Sequence, residues 1–319
     1  MSQQFTRKYL DSLGELATKI RFIAKTEEGM NFLMGLLHHK RAMLYFTQPS
    51  TRTFLSFRAA LQIMGMRIGD VRDTSTSSEY KGESQEDSVR TFSSYFDLII
   101  MRSKKQGLAE RMSWVLSNSE RPVPIINAGS GSDQHPTQSL LDIYTLQRSF
   151  EDKGGIDGKK IVFVGDLARG RTVRSLAQLL TNYDDMKMSF VAPEQLQVKQ
   201  DILDVLDAEK VSYELSGNFD EAIASADAVY MTRIQDEWDS EGESSKIDIS
   251  QFSFMERHLD ILPQDAVIMH PLPRRKEIST NVDHDPRAVY WRQMRNGMWI
   301  RAALIANMFE CDDAIHGYA

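Results

Sequence analysis

Residues 43–64 read MLYFTQPSTRTFLSFRAALQIM, and the change of pattern inside this stretch sets the fold class. Met43 to Phe46 is a short unbroken apolar run, the mark of a strand buried on both faces. It stops at Gln48-Pro49-Ser50. From Thr51 the apolar residues Phe54, Leu55, Phe57, Ala60, Leu61 and Met64 recur at helical spacing, which makes Ser50 the natural N-cap of a helix.

The same alternation continues outward from this stretch. Tyr9, Leu10, Leu13, Leu16, Ile20 and Ile23 keep helical spacing, so helices open the chain. Strands are expected at Leu98 to Met101, Val123 to Ile126, Lys160 to Val164, Met188 to Val191, Ala228 to Met231 and Ala266 to Met269. Helices are expected from Pro136 to Tyr144, from Thr172 to Leu180, and from Gln293 to Met308, the last apolar on one broad face and suited to packing back on the first half. Strands alternating with helices at this spacing imply parallel sheets covered on both faces. The polar, glycine-containing Asp152-Lys153-Gly154-Gly155 marks a boundary between two similar α/β halves. Asp236 to Lys246 is charged and serine-rich, a solvated loop with the freedom to move over a ligand.

Composition narrows the partners. With 319 residues, at roughly 150 per domain the chain holds about two domains. Its 38 Lys and Arg against 45 Asp and Glu give a net charge of −7, which offers no footprint for nucleic acid or an anionic membrane. The values of 41% hydrophobic and 26% charged residues are ordinary for a globular protein and exclude disorder, collagen and coiled coil as the main state. Cys311 stands alone, so there is no internal disulfide and no zinc cluster, and a cytoplasmic location is expected. Met1 to Leu10 is too polar for a signal peptide, and no apolar run approaches the roughly 20 residues of a membrane span.

Parallel α/β sheets often carry nucleotides, yet neither signature is present. There is no Gly-x4-Gly-Lys-Ser/Thr, and Gly129, Gly131, Gly165 and Gly170 do not form a Gly-x-Gly-x-x-Gly after a strand. The stronger feature is Gln48-Pro49-Ser50-Thr51-Arg52-Thr53, which gathers hydroxyls, an arginine and backbone N–H groups at a strand-to-helix turn. A helix start attracts anions, and arginine adds a bidentate contact, so this is a phosphate cradle without glycines. On its own the segment is also consistent with a simple Ser cap beside a surface arginine. No metal site is expected, since adjacent His38 and His39 point in different directions and no other cluster has ligand spacing. Covalent catalysis by Ser50 is not expected either, because it lacks a Gly-x-Ser-x-Gly elbow.

The segment resembles the Ser-Thr-Arg-Thr signature of the aspartate and ornithine carbamoyltransferase family. The likeness runs on through Phe46 to Phe57, Lys81-Gly82-Glu83, Met101-Arg102, Asn127-Ala128-Gly129, Gln134-His135-Pro136-Thr137-Gln138, Gly165-Asp166-Leu167 with Gly170-Arg171-Thr172, Arg233-Ile234-Gln235, and His270-Pro271-Leu272-Pro273-Arg274. It implies two similar α/β domains, each a parallel sheet with helices on both faces. One domain would comprise residues 1–135 with the C-terminal helix 293–319 and bind carbamoyl phosphate; the other, residues 136–292, would bind the amino acid. Ornithine enzymes usually show His-Cys-Leu-Pro and a Ser-Met-Gly segment, and both are missing here, while Arg233-Ile234-Gln235 resembles an aspartate-binding loop. The implied reaction is therefore attack of the uncharged α-amine of L-aspartate on carbamoyl phosphate, giving N-carbamoyl-L-aspartate and phosphate, a step of pyrimidine biosynthesis. No cofactor is implied.

Roles follow residue by residue from the resemblance. Ser50, Thr51, Arg52, Thr53 and Arg102 would hold the phosphate; Thr53, Arg102 and His135 would donate to the carbonyl oxygen as it gains charge. Gln138 and the backbone carbonyls of Pro271 and Leu272 would accept from the carbamoyl NH2. Lys81, Arg171, Arg233 and Gln235 would hold the substrate carboxylates, with Glu237 orienting Arg233. Ser77 and Lys81 lie in a loop, Asp73 to Ser84, that in the family crosses into a neighbouring subunit, so a homotrimer with shared sites is implied; the resemblance leaves a regulatory or dihydroorotase partner open. Asn127 and Asp166 read as structural supports.

The chain departs from the family pattern at several points. Phe54 and Arg58 stand where an Arg and a Glu are common, an i, i+4 pair replaced at both ends. Gln48 and Trp238 replace a Glu and an Arg that bridge the domains in well-known aspartate enzymes, so closure is expected to rely on hydrogen bonding and on Trp238 packing. Tyr80 replaces a frequent Lys, and Asp236 a frequent cation. A different carbamoyl-accepting amine, or a non-catalytic homologue serving as an assembly subunit, are the competing readings. Retention of Arg52, Thr53, Lys81, Arg102, His135, Arg171 and Arg233 argues against the second, because a scaffold has no physical need for these cations.

Overall fold

A computed structural model describes residues 2–72, 78–131, 135–233 and 250–318. The chain divides into two compact units. The first holds Lys8–Leu140 and Asn296–Ala319, the second Ser2–Arg7 and Leu141–Arg295.

The first unit is built on a 4-stranded sheet of β1 (Arg41–Phe46), β2 (Arg67–Val71), β3 (Leu98–Ser103) and β4 (Ile125–Ser130), in the order β2-β1-β3-β4. Every neighbouring pair is parallel. Its helices include α1 (Arg7–Ile23), α2 (Glu27–Leu36), α3 (Thr51–Ile63), α4 (Gln85–Ser93) and α5 (Leu108–Ser117), and α6 (Pro136–Ser149) begins in it. β3 is buried along its whole length and β1 at all but its first residue, which explains why both read as unbroken apolar runs. Met43, Tyr45, Ile99 and Met101 from these strands pack with Leu108, Met112 and Leu116 of α5.

The second unit carries a 5-stranded parallel sheet of β5 (Lys160–Val164), β6 (Lys187–Val191), β7 (Ser212–Ser216), β8 (Ala228–Met231) and β9 (Val267–Met269), ordered β7-β6-β5-β8-β9. It adds α7 (Arg171–Leu180), α8 (Gln200–Ala208) and the short α9 (Phe219–Ile223). α10 (Tyr290–Met308) begins here, and the chain ends with α11 (Asp312–His316) in the first unit. Val162, Val164, Val229, Met231 and Ile268 form the core with Phe254 and Tyr290.

The parallel α/β class expected from the sequence is the class observed. The apolar runs all fall in or against strands, although β4 starts only after Pro124, a residue that cannot donate to a ladder. Two strands gave no apolar signal. β2 and β7 lie at sheet edges, where every position is at least partly open to solvent, so their sequences are not driven to be apolar. Among the described residues no helix is long and apolar enough to cross a membrane.

Both sheets share one topological feature. In the first, the chain leaves β1 to build β2 on one side and then returns to place β3 on the other; in the second, β5 is flanked by β6 and β8 in the same way. The carboxyl ends of β1 with β3, and of β5 with β8, are therefore the switch points at which open α/β sheets bind ligands.

Candidate active site

The sheet register explains the first cluster. Phe46 sits opposite Arg102, so the turn leaving β1 and the end of β3 must meet. The Thr47 amide donates to the Arg102 carbonyl at 3.0 Å. Ser50 is the N-cap of α3, in extended backbone conformation, but its hydroxyl makes no capping hydrogen bond. The first turn of α3 also contains no acid. By contrast, Thr26 and Ser84 cap α2 and α4 through their side chains, and acids fill those first turns. First-turn amides of a helix have no acceptor within it, and at α3 neither the Ser50 side chain nor an acid of that turn competes for them. That start of a helix is thus prepared for an anion.

Arg102 and His135 extend the cluster. Arg102 is only 6% exposed; its Nη1 donates to the Ala128 carbonyl at 3.0 Å and lies 3.3 Å from His135 Nε2. Arginine can only donate, so Nε2 accepts and the proton of the neutral ring lies on Nδ1. Gly129 makes this placement possible: its φ is +129°, and a Cβ there would lie 2.5 Å from Arg102 Nη1. His135 precedes Pro136, the first residue of α6, and Gln138 follows within the first turn; Thr53, His135 and Gln138 are all buried. Arg52 and Thr51 are exposed. Gln48 is half-buried and its Oε1 accepts no hydrogen bond from the described residues.

The turn bearing Lys81 belongs to the same unit. Ser78–Lys81 is a single 3-10 turn, with Tyr80 and Lys81 exposed. Glu79 reaches back to the buried Tyr45 of β1, whose hydroxyl donates to it. Burial first, and then the carboxylate, push the Tyr45 phenol far above its ordinary value. Ser77 lies outside the described residues.

In the second unit Val164 is opposite Met231, and the residues after each strand form the second cluster. Gly165 has φ +113°, and a Cβ there would lie 2.3 Å from the Thr232 carbonyl, so β5 and β8 can close only on a glycine. Asp166 is fully buried and accepts from the Arg169 amide at 3.1 Å. Arg171 opens α7 and Arg233 follows β8, both half-buried. Gln235, Asp236, Glu237, Trp238 and the rest of the segment to 249 lie outside the described residues.

The turn after β9 contains His270-Pro271-Leu272-Pro273. Leu272 has φ +53° and precedes a cis proline. A buried polar network fixes this turn. The His270 amide donates to Gln293 Oε1 at 2.9 Å; Gln293 Nε2 donates to Asp142 Oδ1 at 2.7 Å; the Tyr230 hydroxyl donates to Asp142 Oδ2 at 2.8 Å. The Leu272 amide donates to His270 Nδ1 at 2.7 Å, which leaves Nε2–H to donate to Glu277 Oε1 at 2.8 Å. Glu277 also accepts from the Arg275 amide. Burial alone would raise the Glu277 carboxyl, but the His270 hydrogen bond, with the backbone amides, holds it below its ordinary value.

The sequence reading thus finds Ser50, Thr51, Arg52, Thr53, Arg102, His135 and Gln138 in the first unit, and Arg171, Arg233, Pro271 and Leu272 in the second. It gave no site role to Asp142, Tyr230, Glu277 or Gln293, whose partners lie up to 151 residues away; spacing carries no signal at that separation. The departure at Phe54 also has an explanation. Phe54 is 2% exposed, meets Phe46 edge-on at 5.4 Å, and is covered by the Arg72 guanidinium at 4.3 Å. Packing and a cation–π contact thus occupy the position of the family's ion pair, while Arg58 points to solvent. Among the described residues no group of His, Cys, Asp or Glu has the arrangement of a metal site.

Two family models match the chain. Residues 1–148 match the aspartate/ornithine carbamoyltransferase carbamoyl-P binding domain, and residues 157–308 the Asp/Orn binding domain of the same family. The chain is 42% identical over 313 residues to aspartate carbamoyltransferase 3, chloroplastic, of Pisum sativum, covering 95% of this chain and 75% of that protein. It is 41% identical over 310 residues to the aspartate carbamoyltransferase catalytic subunit of Vibrio cholerae, covering 96% and 98%. Among solved structures, the catalytic subunit of M. jannaschii aspartate transcarbamoylase aligns with a TM-score of 0.84 at 35% identity, over 98% of this chain and 97% of that one. The Trypanosoma cruzi aspartate transcarbamoylase in complex with N-(phosphonacetyl)-L-aspartic acid aligns with a TM-score of 0.84 at 36% identity, over 95% and 93%.

Proposed function

The chain belongs to the aspartate/ornithine carbamoyltransferase family, and on that premise we propose that it transfers the carbamoyl group of carbamoyl phosphate to the α-amine of L-aspartate. The amine nitrogen bonds to the carbonyl carbon, the bond from that carbon to the phosphate oxygen breaks, and the amine loses a proton. The products are N-carbamoyl-L-aspartate and inorganic phosphate, as pyrimidine biosynthesis requires.

The observation that carries this reading is the helix start at Ser50–Thr53, with no acid and no side-chain cap, set beside the buried Arg102. The dianionic phosphate sits on that helix start with Arg52 and Arg102. The Nδ1–H of His135, the Thr53 hydroxyl and Arg102 stabilise the oxyanion. Gln138, with the carbonyls of Pro271 and Leu272, accepts from the carbamoyl NH2. Arg171 and Arg233 hold the carboxylates of the second substrate; two arginines suit a dicarboxylate and would repel the cationic side chain of ornithine. Lys81 completes the site, and with Ser77 it serves a neighbouring copy in a homotrimer. A cytoplasmic location suits the single thiol, whereas the Pisum sativum relative is named as chloroplastic.

The test is ureido-product formation by the purified chain from carbamoyl phosphate with L-aspartate, L-ornithine, N-acetylornithine, putrescine or no amine. Turnover confined to L-aspartate is expected. Turnover with another amine would move the substrate, and none at all would favour an assembly role.

A further inference from the structure

We propose that Glu79 is the positioning residue for Lys81, tying the Lys81 turn to the carboxyl ends of β1 and β3 through Tyr45, Gln85 and Thr47. The proposal rests on the assignment of Lys81 to the chemistry made above. Glu79 offers two carboxylate oxygens, and each has a donor: the Tyr45 hydroxyl on Oε1, and Gln85 Nε2 on Oε2 at 3.3 Å. Gln85 is the first residue of α4. Its Nε2 also donates to Thr47 Oγ1 at 3.0 Å, and its Oε1 accepts from Ser103 Oγ at 2.9 Å. Thr47 Oγ1 in turn donates to the Arg102 carbonyl at 3.3 Å. One hydrogen-bonded network therefore joins the end of β1, the end of β3 that carries Arg102, and the turn that carries Lys81.

Three considerations make this a positioning device. Lys81 and Tyr80 are exposed, so burial of their side chains does not hold the turn; a long, flexible lysine there gains a defined position only from its backbone. Glu79 is two residues away in the same turn, which the Gly82 amide closes onto the Glu79 carbonyl at 2.9 Å. Hydrogen bonds to a carboxylate are about twice as strong as neutral ones, and Tyr45 is a fully buried donor fixed against Phe92 at 5.2 Å. The neighbouring Glu83, just before α4, accepts from Ser88 Oγ at 3.1 Å. Since the network lies within one chain, it acts in the same way if Lys81 serves the site of a neighbouring copy.

Glu79→Gln keeps the shape but leaves one acceptor oxygen for two donors, and Tyr45→Phe removes one donor without altering the packed ring. We expect Glu79→Gln to lose roughly tenfold in kcat/KM for L-aspartate and Tyr45→Phe somewhat less, with melting temperatures close to the parent. Neither change should lower the residual activity of Lys81→Ala, because both act through Lys81. Amide exchange across residues 78–84 provides a readout that needs no residual turnover: it should quicken about tenfold in both variants and stay constant in β1 and β3. Unaltered exchange, or full activity of Glu79→Gln beside a crippled Lys81→Ala, overturns the proposal while leaving the function standing. Full activity of Lys81→Ala removes Lys81 from the chemistry and the proposal with it. Absence of turnover by the parent chain with every amine would overturn the function as well.

Discussion

In the proposed reading Arg52 and Arg102 hold one phosphate from different elements, and their surroundings predict different defects. Arg52 is exposed, so Arg52→Ala should fold normally and weaken carbamoyl phosphate binding by about 1.5–3 kcal/mol, the worth of a charged hydrogen bond; unchanged affinity in calorimetry would remove Arg52 from the site. Gly129→Ala tests Arg102 without touching it. The new Cβ would lie 2.5 Å from Nη1 at a φ of +129°, so the variant should lose about 1–3 kcal/mol of stability together with carbamoyl phosphate affinity. Parental affinity and stability would show that Arg102 can be relocated at no cost. Glu277 gives a pH prediction. Its folded value lies below the ordinary 4.5, so its stabilisation is present above about pH 4.5 and is lost as pH falls through the lower folded value. In acid titrations followed by circular dichroism, Glu277→Gln should show a shallower loss of stability below pH 4.5 than the parent. At this scale the sequence was informative wherever a residue's neighbours in the chain define its chemistry, as for Ser50–Thr53. It was silent where the partner is remote, as for Asp142 with Gln293.

At the level of elements, α10 supplies Gln293 to a turn that follows β9, and that single amide satisfies both the His270 N–H and the Asp142 carboxylate. Gln293→Ala should cost about 2–4 kcal/mol, since two buried polar groups lose a partner at about 1–3 kcal/mol each, and should lower the urea midpoint without changing the slope. A loss below 0.5 kcal/mol would mean that water replaces the amide. The elements themselves were legible to the degree that they are buried. β1, β3, β5 and β8 sit in sheet interiors and betray themselves as apolar runs; β2 and β7 are edges, and there a polar sequence guards against pairing with other chains. Glu214 on β7 illustrates this, since it bonds Ser189 Oγ and Lys160 Nζ on the strands behind it while charging the rim.

For the molecule as a whole, the shared-site reading makes a prediction that no single chain can meet. Lys81→Ala and Arg52→Ala chains, each impaired alone, should regain activity when unfolded together and refolded as hybrids, because some sites then draw Lys81 from an Arg52→Ala copy and Arg52 from a Lys81→Ala copy. Hybrids no more active than their parents would confine each site to one chain.

The two units also differ in how the polypeptide assembles them. Residues 2–7 and 141–295 make up the second unit, whereas the first takes residues 8–140 and then waits for 296–319. The late segment is tied to the early one by Arg301 to Ser56 Oγ at 2.6 Å, by Lys19 to the Tyr318 carbonyl at 2.7 Å, and by Tyr9 to Asn307 at 3.0 Å. A ribosome therefore finishes the second unit before it finishes the first. The first unit is completed last, and the turn at Ser50–Thr53 spends most of synthesis in a unit whose final helices have yet to be made. Truncation near the C-terminus would accordingly strike the unit that carries the proposed phosphate cradle, although every residue of that cradle would already be present.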